Sequence, residues 1–166
     1  MADLASFVVK TLNTNCSASY LVESLCKLFE SAEDKSNYGG KAIQCVYSLH
    51  NQLSKKEKLF SFDVNSLPAF AESSLVASLR ENSVLVLSER LSKKIDFEKQ
   101  IFRNGEKDEV ELRAASVHAC EQISNLCRQN GKNFSPASIS HFLISKFDES
   151  GSKNVCRHKT KGTKFY

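Results

Sequence analysis

The sequence is poor in the residues that interrupt regular structure. Only six glycines and two prolines occur among its 166 residues, and tryptophan is absent. Long stretches that carry Leu, Ala, Ser and Lys separate these breaks, and such a composition favours helices over many short strands. The length suits one domain that can bury a sizeable core. We therefore expect an all-α fold, built as a single helical domain.

The sequence also lacks the familiar signatures of catalysis and cofactor binding. It contains no GxSxG, no Walker loop and no GxGxxG, so the commonest nucleophile and phosphate-loop motifs are excluded. None of its six cysteines forms a CxxC pair, and none of its four histidines pairs with a histidine or cysteine at ligand spacing. We therefore expect no metal site, no bound cofactor and no disulfide framework.

No stretch of the sequence is typical of a membrane span or a secretory signal. A run of about 18 apolar residues is missing,. Residues 1–4 lack a basic region followed by a long apolar core,. Several cysteines lie in apolar helical patterns, where a reduced cysteine behaves as a small buried hydrophobe. These features predict a cytoplasmic protein in a reducing compartment, without membrane contact.

The charge of the chain is mild but unevenly distributed. The formal net charge is +4, and no acidic residue follows Glu149. The basic residues beyond that point are Lys153, Arg157, Lys159, Lys161 and Lys164. Because only two aromatic residues accompany them, the signal for nucleic acid is weak and we expect no direct nucleic-acid binding. We expect a helical domain over residues 1–150 and a solvated basic tail over residues 151–166.

Apolar spacing and capping residues predict where the helices lie. Helical patterns cover residues 3–12, 17–32, 41–53, 107–130 and 135–147,. The last of these opens with Ser135 and Pro136, a cap followed by a proline in the first turn. Gly131 suits the left-handed position that often follows a helix.

The run VLVLSERL, over residues 84–91, fits either a strand or a helix. Leu87, Leu91 and Ile95 continue it at helical spacing, so we favour a helix. A connector follows this run. Its expected anchors in the core are Phe97, Ile101 and Phe102.

The stretch over residues 60–80 holds the strongest catalytic candidate. Ser66 is predicted to cap a helix whose first turn contains Pro68,. The apolar stripe of this helix is formed by Leu67, Phe70, Ala71, Leu75 and Leu79,. Glu72 follows the stripe so closely that its carboxylate can face inward, and the alternative is a solvated glutamate on an outer helix face. His141, within SISHFLIS, either lines a cavity or is a structural histidine.

Three stretches, taken in order, carry a family resemblance. FDVNSLPAFAESSLVASLR looks like a block F-x-D-I-x-x-L-T-x-F-A-D-Y-R, and EVELRAASVHACEQI closely resembles a helix E-V-E-I-R-A-x-x-x-x-x-V-E-x-I. CRHKTKGTKFY is similar to a basic tail that ends in tyrosine. Together these stretches resemble the queuosine salvage family, over about residues 6–166. The resemblance implies a fold like the C-terminal half of a DNA glycosylase.

The resemblance also implies a hydrolase that cleaves the N-glycosidic bond of queuosine 5′-phosphate and releases queuine for tRNA modification. Such a reaction needs a carboxylate near the anomeric carbon, as a nucleophile or as a stabiliser of an oxocarbenium-like centre. Glu72 occupies the position of the family's aspartate, and Phe70 matches a phenylalanine that packs on the ligand. Ser140 and Ser145 stand where the family has two aspartates that help to bind the base, and His141 lies between them.

Departures from the family pattern keep a second interpretation open. Glu72 is one methylene longer than aspartate, and Ser140 and Ser145 remove two charged partners of the base. Each charge-assisted hydrogen bond is worth about 1.5–3 kcal/mol. The chain is also roughly half the family's usual length. The alternative to an active hydrolase is a catalytically inactive homologue, a binding or scaffold protein whose protein partner covers the face left by the missing N-terminal half.

Overall fold

The computed structural model describes residues 4–28, 39–56, 62–151 and 155–161 of the chain. Its helices are α1 Leu4–Thr14, α2 Ala18–Leu28, α3 Gly40–Lys56, α4 Ser73–Glu81, α5 Glu89–Ser92, α6 Lys107–Gln129 and α7 Pro136–Ser150. A π-helical turn, Lys93–Phe97, continues α5, and the two short strands are β1 Ile101–Arg103 and β2 Lys159–Lys161. The expected all-α class is confirmed. The predicted end of the second helix, residues 29–32, lies outside the described residues.

Helix α4 lies at the centre of the packing. It contacts α6 and α7, while α3 packs against α2 and α7. Leu75 and Leu79 belong to the larger apolar cluster, to which α1, α2, α3, α6 and α7 also contribute. Val76 belongs to a smaller cluster that includes Ile95 and Phe102. Each such buried side chain contributes about 1.5–3 kcal/mol, so α4 links both parts of the core.

None of the helices in the described ranges combines the length and the apolar character that crossing a membrane requires.

The boundaries of α6 and α7 follow the capping rules that predicted them. The Ser138 N–H donates to Ser135 Oγ at 3.2 Å, and Pro136 occupies the first turn of α7. Gly131, just after α6, has a φ of 73°, which glycine adopts without the penalty that a Cβ would bring. Both predicted helices are confirmed.

The helix predicted to start after Ser66 starts only at Ser73. The residues between them form turns and irregular backbone, although Leu67 and Phe70 are buried as the apolar stripe predicts. Side chains of α6 and α7 bind the backbone of this segment, so its buried polar groups do not need helical hydrogen bonds. The predicted cap at Ser66 and first turn at Pro68 are therefore wrong, because tertiary contacts replace the local ones.

The run over residues 84–91 is helical only from Glu89 onward. Two N–H groups that follow α4 both donate to the Leu79 carbonyl, at 2.9 and 3.1 Å, so the chain turns before the next helix. Ser88 then caps α5. The predicted helix is right for the end of the run and wrong for its beginning.

Only one of the three expected anchors in the connector is buried. Phe102 is 0% exposed, whereas Phe97 and Ile101 are 80% and 56% exposed. Successive side chains of a strand point to opposite faces, and in β1 this places Phe102 in the core and Ile101 outside. The prediction is therefore wrong for Phe97 and Ile101.

The described part of the C-terminal segment is packed against the helices. β2 pairs in parallel with β1, and Thr160 lies opposite Phe102. His158 is buried, with its ring edge-on to Phe102 at 6.1 Å between centroids. Arg80, at the end of α4, donates from Nη1 to the Cys156 carbonyl at 3.1 Å. The expectation of a solvated segment is therefore wrong for the backbone of residues 155–161 and for His158, because strand pairing and buried polar contacts hold them. The side chains of Arg157, Lys159 and Lys161 are exposed as expected.

Candidate functional site

Glu72 occupies the N-cap position of α4. Its backbone is extended, with a φ of −107° and a ψ of 156°, and its carbonyl accepts the first N–H groups of the helix, from Leu75 and Val76. Its side chain is 15% exposed, and Nζ of Lys41, in the first turn of α3, lies 2.8 Å from Oε1. The positive end of the α4 dipole favours a carboxylate at this position. Glu72 is thus neither fully inward nor on a solvated helix face.

The backbone that leads to Glu72 is held by two other helices. The Phe70 N–H donates to Ser140 Oγ of α7 at 3.1 Å, and the Ala71 carbonyl accepts from Arg113 Nε of α6 at 3.1 Å. The Glu72 N–H donates to the Phe70 carbonyl at 2.8 Å, the contact of a γ-turn. These three hydrogen bonds fix the direction in which the Glu72 side chain leaves the backbone.

Arg113 is a residue of this site that sequence reasoning missed. It is 3% exposed, and its Nη1 lies 3.3 Å from Oε1 of the fully buried Glu109, one turn earlier on α6. The Gly105 N–H donates to the other Glu109 oxygen at 3.3 Å. A buried ion pair requires such additional hydrogen bonds to offset its desolvation. The sequence signal that could have indicated Arg113 is the spacing of Glu109 and Arg113, opposite charges four residues apart on one predicted helix.

Three rings from different elements meet at Phe70. The ring centroids of Phe70 and Tyr47 are 5.6 Å apart, those of Tyr47 and His141 5.3 Å, and those of Phe70 and His141 6.4 Å. Phe70 is fully buried, Tyr47 is nearly so, and His141 is half-buried. We call Tyr47, Phe70 and His141 the ring cluster. It brings two of the predicted binding residues together and adds Tyr47, to which the sequence assigned no role.

The two predicted serines lie in different environments. Ser140 is 0% exposed, and its hydroxyl both accepts from the Phe70 N–H and donates to the Ala137 carbonyl at 2.9 Å. Ser145 is half-buried, one helical turn after His141 on α7. The structure therefore joins Ser140 directly to Phe70. Contact of either serine with a substrate stays a prediction.

The comparison with protein families gives a match along nearly the whole chain. The sequence model of the family described as queuosine salvage protein matches residues 4–166. The chain belongs to the queuosine salvage protein family. No curated protein matches the sequence. The resemblance seen in the sequence is thereby confirmed, and the match includes Glu72, Arg113 and the ring cluster.

In this queuosine salvage family member, the site offers a carboxylate, an ammonium group and the half-buried ring of His141. Across the described ranges, no three histidine, cysteine or acidic side chains are grouped to hold a metal ion. A fixed carboxylate stabilises a positive centre that develops beside it. The Glu72 carboxylate, held through its backbone by α6 and α7, is the group of this site suited to that task.

Proposed function

We propose that the protein binds queuosine 5′-phosphate, or a closely related nucleoside, and hydrolyses its N-glycosidic bond to release queuine. The observation that carries this proposal is the position of Glu72. Its carboxylate stands at the N-terminus of α4, partly exposed and two residues from the ring cluster. Membership of the queuosine salvage family supports the substrate class.

The proposed chemistry uses the negative charge of Glu72. In hydrolysis the bond between the anomeric carbon and the base nitrogen breaks, and its electron pair leaves with the base. A water oxygen then forms the new bond to the anomeric carbon, and one proton of this water neutralises the departed base. Glu72 either stabilises the oxocarbenium-like centre or attacks it as a nucleophile before water does. Such catalysis depends on placement. Ser140, which accepts from the Phe70 N–H, and Arg113, which donates to the Ala71 carbonyl, therefore contribute by holding the backbone before Glu72 in position.

The substrate contacts that we propose divide between two kinds of residue. We expect His141 and Ser145 to contact the base, since they lie one turn apart on α7 and are both half-buried. Phe70 is fully buried and packs edge-on against Tyr47, so its contribution is to support the His141 ring, 6.4 Å away between centroids. Ser140 contributes through the Phe70 backbone, because both hydrogen bonds of its hydroxyl lie within the protein.

The test is incubation of the purified protein with queuosine 5′-phosphate and detection of queuine by mass spectrometry. Glu72→Gln keeps the shape of the side chain and removes its charge, so we expect a loss of roughly 100-fold or more in rate. Glu72→Asp restores the family's residue and is expected to raise the rate. Equal queuine from the wild type and Glu72→Gln, or queuine from none of the three proteins, would falsify the proposal.

A catalytically inactive homologue that binds the same ligand is the second candidate function. It is favoured by the Lys41 contact, since Oε1 of Glu72 has almost no solvent-accessible surface and its charge is already matched by the ammonium. This function predicts that calorimetry detects binding of queuosine 5′-phosphate by the wild type and by Glu72→Gln alike. No queuine would form with either protein. Queuine release that depends on Glu72 excludes this candidate.

A further inference from the structure

A cavity of about 450 Å³ opens between the π turn, the end of α7 and the segment over residues 155–159. Ile95 and Phe147, both buried, contribute its apolar floor. Lys99, Arg157 and Lys159 contribute cationic side chains, and none of the described residues that line it is acidic. This volume falls in the range of pockets that hold small organic ligands. We call it the basic pocket.

The charge of the basic pocket is available for a ligand. Arg157 pairs with Asp148 and places its guanidinium over the Phe147 ring, 5.2 Å from the centroid. Lys99 and Lys159 form no ion pair with any residue in the described ranges. Two ammonium groups therefore face solvent beside an apolar floor, and phosphate is an anion that both lysine and arginine bind well.

The backbone at Lys99 is left-handed. Its φ is 49°, a left-handed conformation that is strained for a residue with a side chain. The chain adopts it as the π turn ends, where the Gln100 N–H donates to the Lys94 carbonyl at 2.8 Å. Glycine is the residue that ends helices this way without strain. A lysine here brings its side chain to the lining of the basic pocket in spite of the strain,.

The basic pocket is separate from Glu72. Arg80 donates to the carbonyl of Cys156, which lines the pocket. Arg80 follows Glu72 by eight residues along α4, and eight residues of helix span roughly 12 Å. The two sites therefore lie at opposite ends of α4.

We propose that the basic pocket binds a small phosphate-bearing ligand of mononucleotide size. The phosphate lies between Lys99 and Lys159, and the apolar part of the ligand contacts Val155 and Cys156, which are half-buried in the lining. This site does not depend on the function proposed for Glu72, and ligand binding tests it whether or not the protein hydrolyses a nucleotide.

The experiment is an NMR titration of the ¹⁵N-labelled full chain at low salt, with three probes. Inorganic phosphate and guanosine 5′-monophosphate are expected to shift the amide signals of residues 95–100 and 155–159, and the monophosphate is expected to bind more tightly. Guanosine, which lacks the phosphate, is expected to leave these signals in place. Equal shifts with guanosine, or no shift with either phosphate compound, would overturn the proposal.

Variants locate the site. Lys99→Gly removes the ammonium group and the strain together, so it is expected to weaken monophosphate binding roughly tenfold while Tm stays the same or rises. Lys159→Ala is expected to weaken binding similarly. Lys132→Ala is the matched control, an exposed lysine in the loop between α6 and α7, and should bind as the wild type does. Unchanged affinity in both pocket variants would overturn the proposal.

Two further measurements distinguish the basic pocket from the Glu72 site and a mononucleotide from a nucleic acid. Guanosine 5′-monophosphate is expected to shift the amide signals of the basic pocket, and shifts confined to residues 70–73 and 141–145 would move the ligand to the Glu72 site and overturn the proposal. A single-stranded oligonucleotide is expected to bind no more tightly per phosphate than the monophosphate. Affinity that grows with oligonucleotide length would identify a nucleic-acid surface and overturn the mononucleotide assignment.

Discussion

The hydroxyl of Ser140 lies between two backbone groups and has no exposed surface. It accepts from the Phe70 N–H and donates to the Ala137 carbonyl. In the family resemblance, Ser140 stands at the first of two positions where the family has an aspartate that helps to bind the base. The hydrogen bonds of its hydroxyl give Ser140 a second role, which is structural. It holds the segment that carries Glu72 against α7, and this task can be tested without a substrate.

We expect Ser140→Ala to lower the free energy of unfolding by about 1–3 kcal/mol, because the buried Phe70 N–H loses its acceptor. Urea unfolding at pH 7 measures this change. Ser145→Ala is the matched control on the same helix, half-buried and expected to change stability by less than about 0.5 kcal/mol. Equal stability of the two variants would show that the hydrogen bond to Phe70 does not hold the segment.

At the scale of single residues, the family motif located part of the site and tertiary contacts supplied the rest. Glu72 and Phe70 were found because their order in the motif is local. Lys41 and Arg113 were missed, because they lie far from Glu72 along the chain and only folding brings them near it. The spacing of residues within one segment does not indicate which distant residues will lie near Glu72.

At the scale of elements, Asp108 joins α6 to α5 and the π turn. Two nitrogens of Arg90 donate to its carboxylate at 2.8 and 2.7 Å, and Lys94 Nζ donates at 2.8 Å. The hydrogen bonds from Arg90 and then Lys94 hold the pKa of Asp108 well below its usual range. The carboxylate also lies in the first turn of α6, where the helix dipole favours it.

We expect Asp108→Asn to lower the free energy of unfolding by about 1–2 kcal/mol, because the amide cannot accept from both cations with a full charge. Urea unfolding at pH 7 and low salt provides the measurement. Glu111→Gln is the control on the same helix, an exposed residue whose oxygen lies 3.8 Å from Lys107 Nζ, and it should change stability by less than about 0.5 kcal/mol. A larger loss in Glu111→Gln than in Asp108→Asn would contradict this role.

The elements differ in how well local sequence predicts them. Gly131 fixes the C-terminal end of α6, and Ser135 fixes the start of α7. Both residues lie beside the boundary that they fix, so capping rules located these boundaries. The start of α4 is fixed by the hydrogen bond that Arg113 donates to the Ala71 carbonyl and by the one that Ser140 accepts from the Phe70 N–H. Apolar spacing alone placed this start too early. β1 and β2 are only three residues long, so the sequence shows no alternation of apolar and polar residues that would predict a strand. Their pairing also joins distant parts of the chain.

At the scale of the whole molecule, His158 ties the C-terminal segment to the core. Its ring packs edge-on against Phe102 of β1, and His158 directly precedes β2, which pairs with β1. Burial lowers the pKa of His158 to about 4, and the charges of Arg113 and Arg80 add to this effect. The neutral imidazole is therefore the form that the fold accommodates.

This preference makes the stability of the whole chain depend on pH. An unfolded histidine takes up its proton near pH 6.5, whereas folded His158 does so only near pH 4,. The unfolded state therefore binds more protons between these values, and stability falls as pH drops from 6.5 to 4, by up to about 3 kcal/mol. Above pH 7 the imidazole is neutral in both states and contributes no pH dependence.

Urea unfolding of the wild type and of His158→Gln at pH 7.5, 6.5, 5.5 and 4.5 tests this linkage. We expect a falling free energy of unfolding in the wild type and a flatter profile in His158→Gln, whatever the stability of the variant at pH 7.5. His118→Gln removes an exposed histidine on α6 and should keep the wild-type slope. If His158→Gln keeps that slope as well, the acid sensitivity of the fold arises from groups other than the buried imidazole.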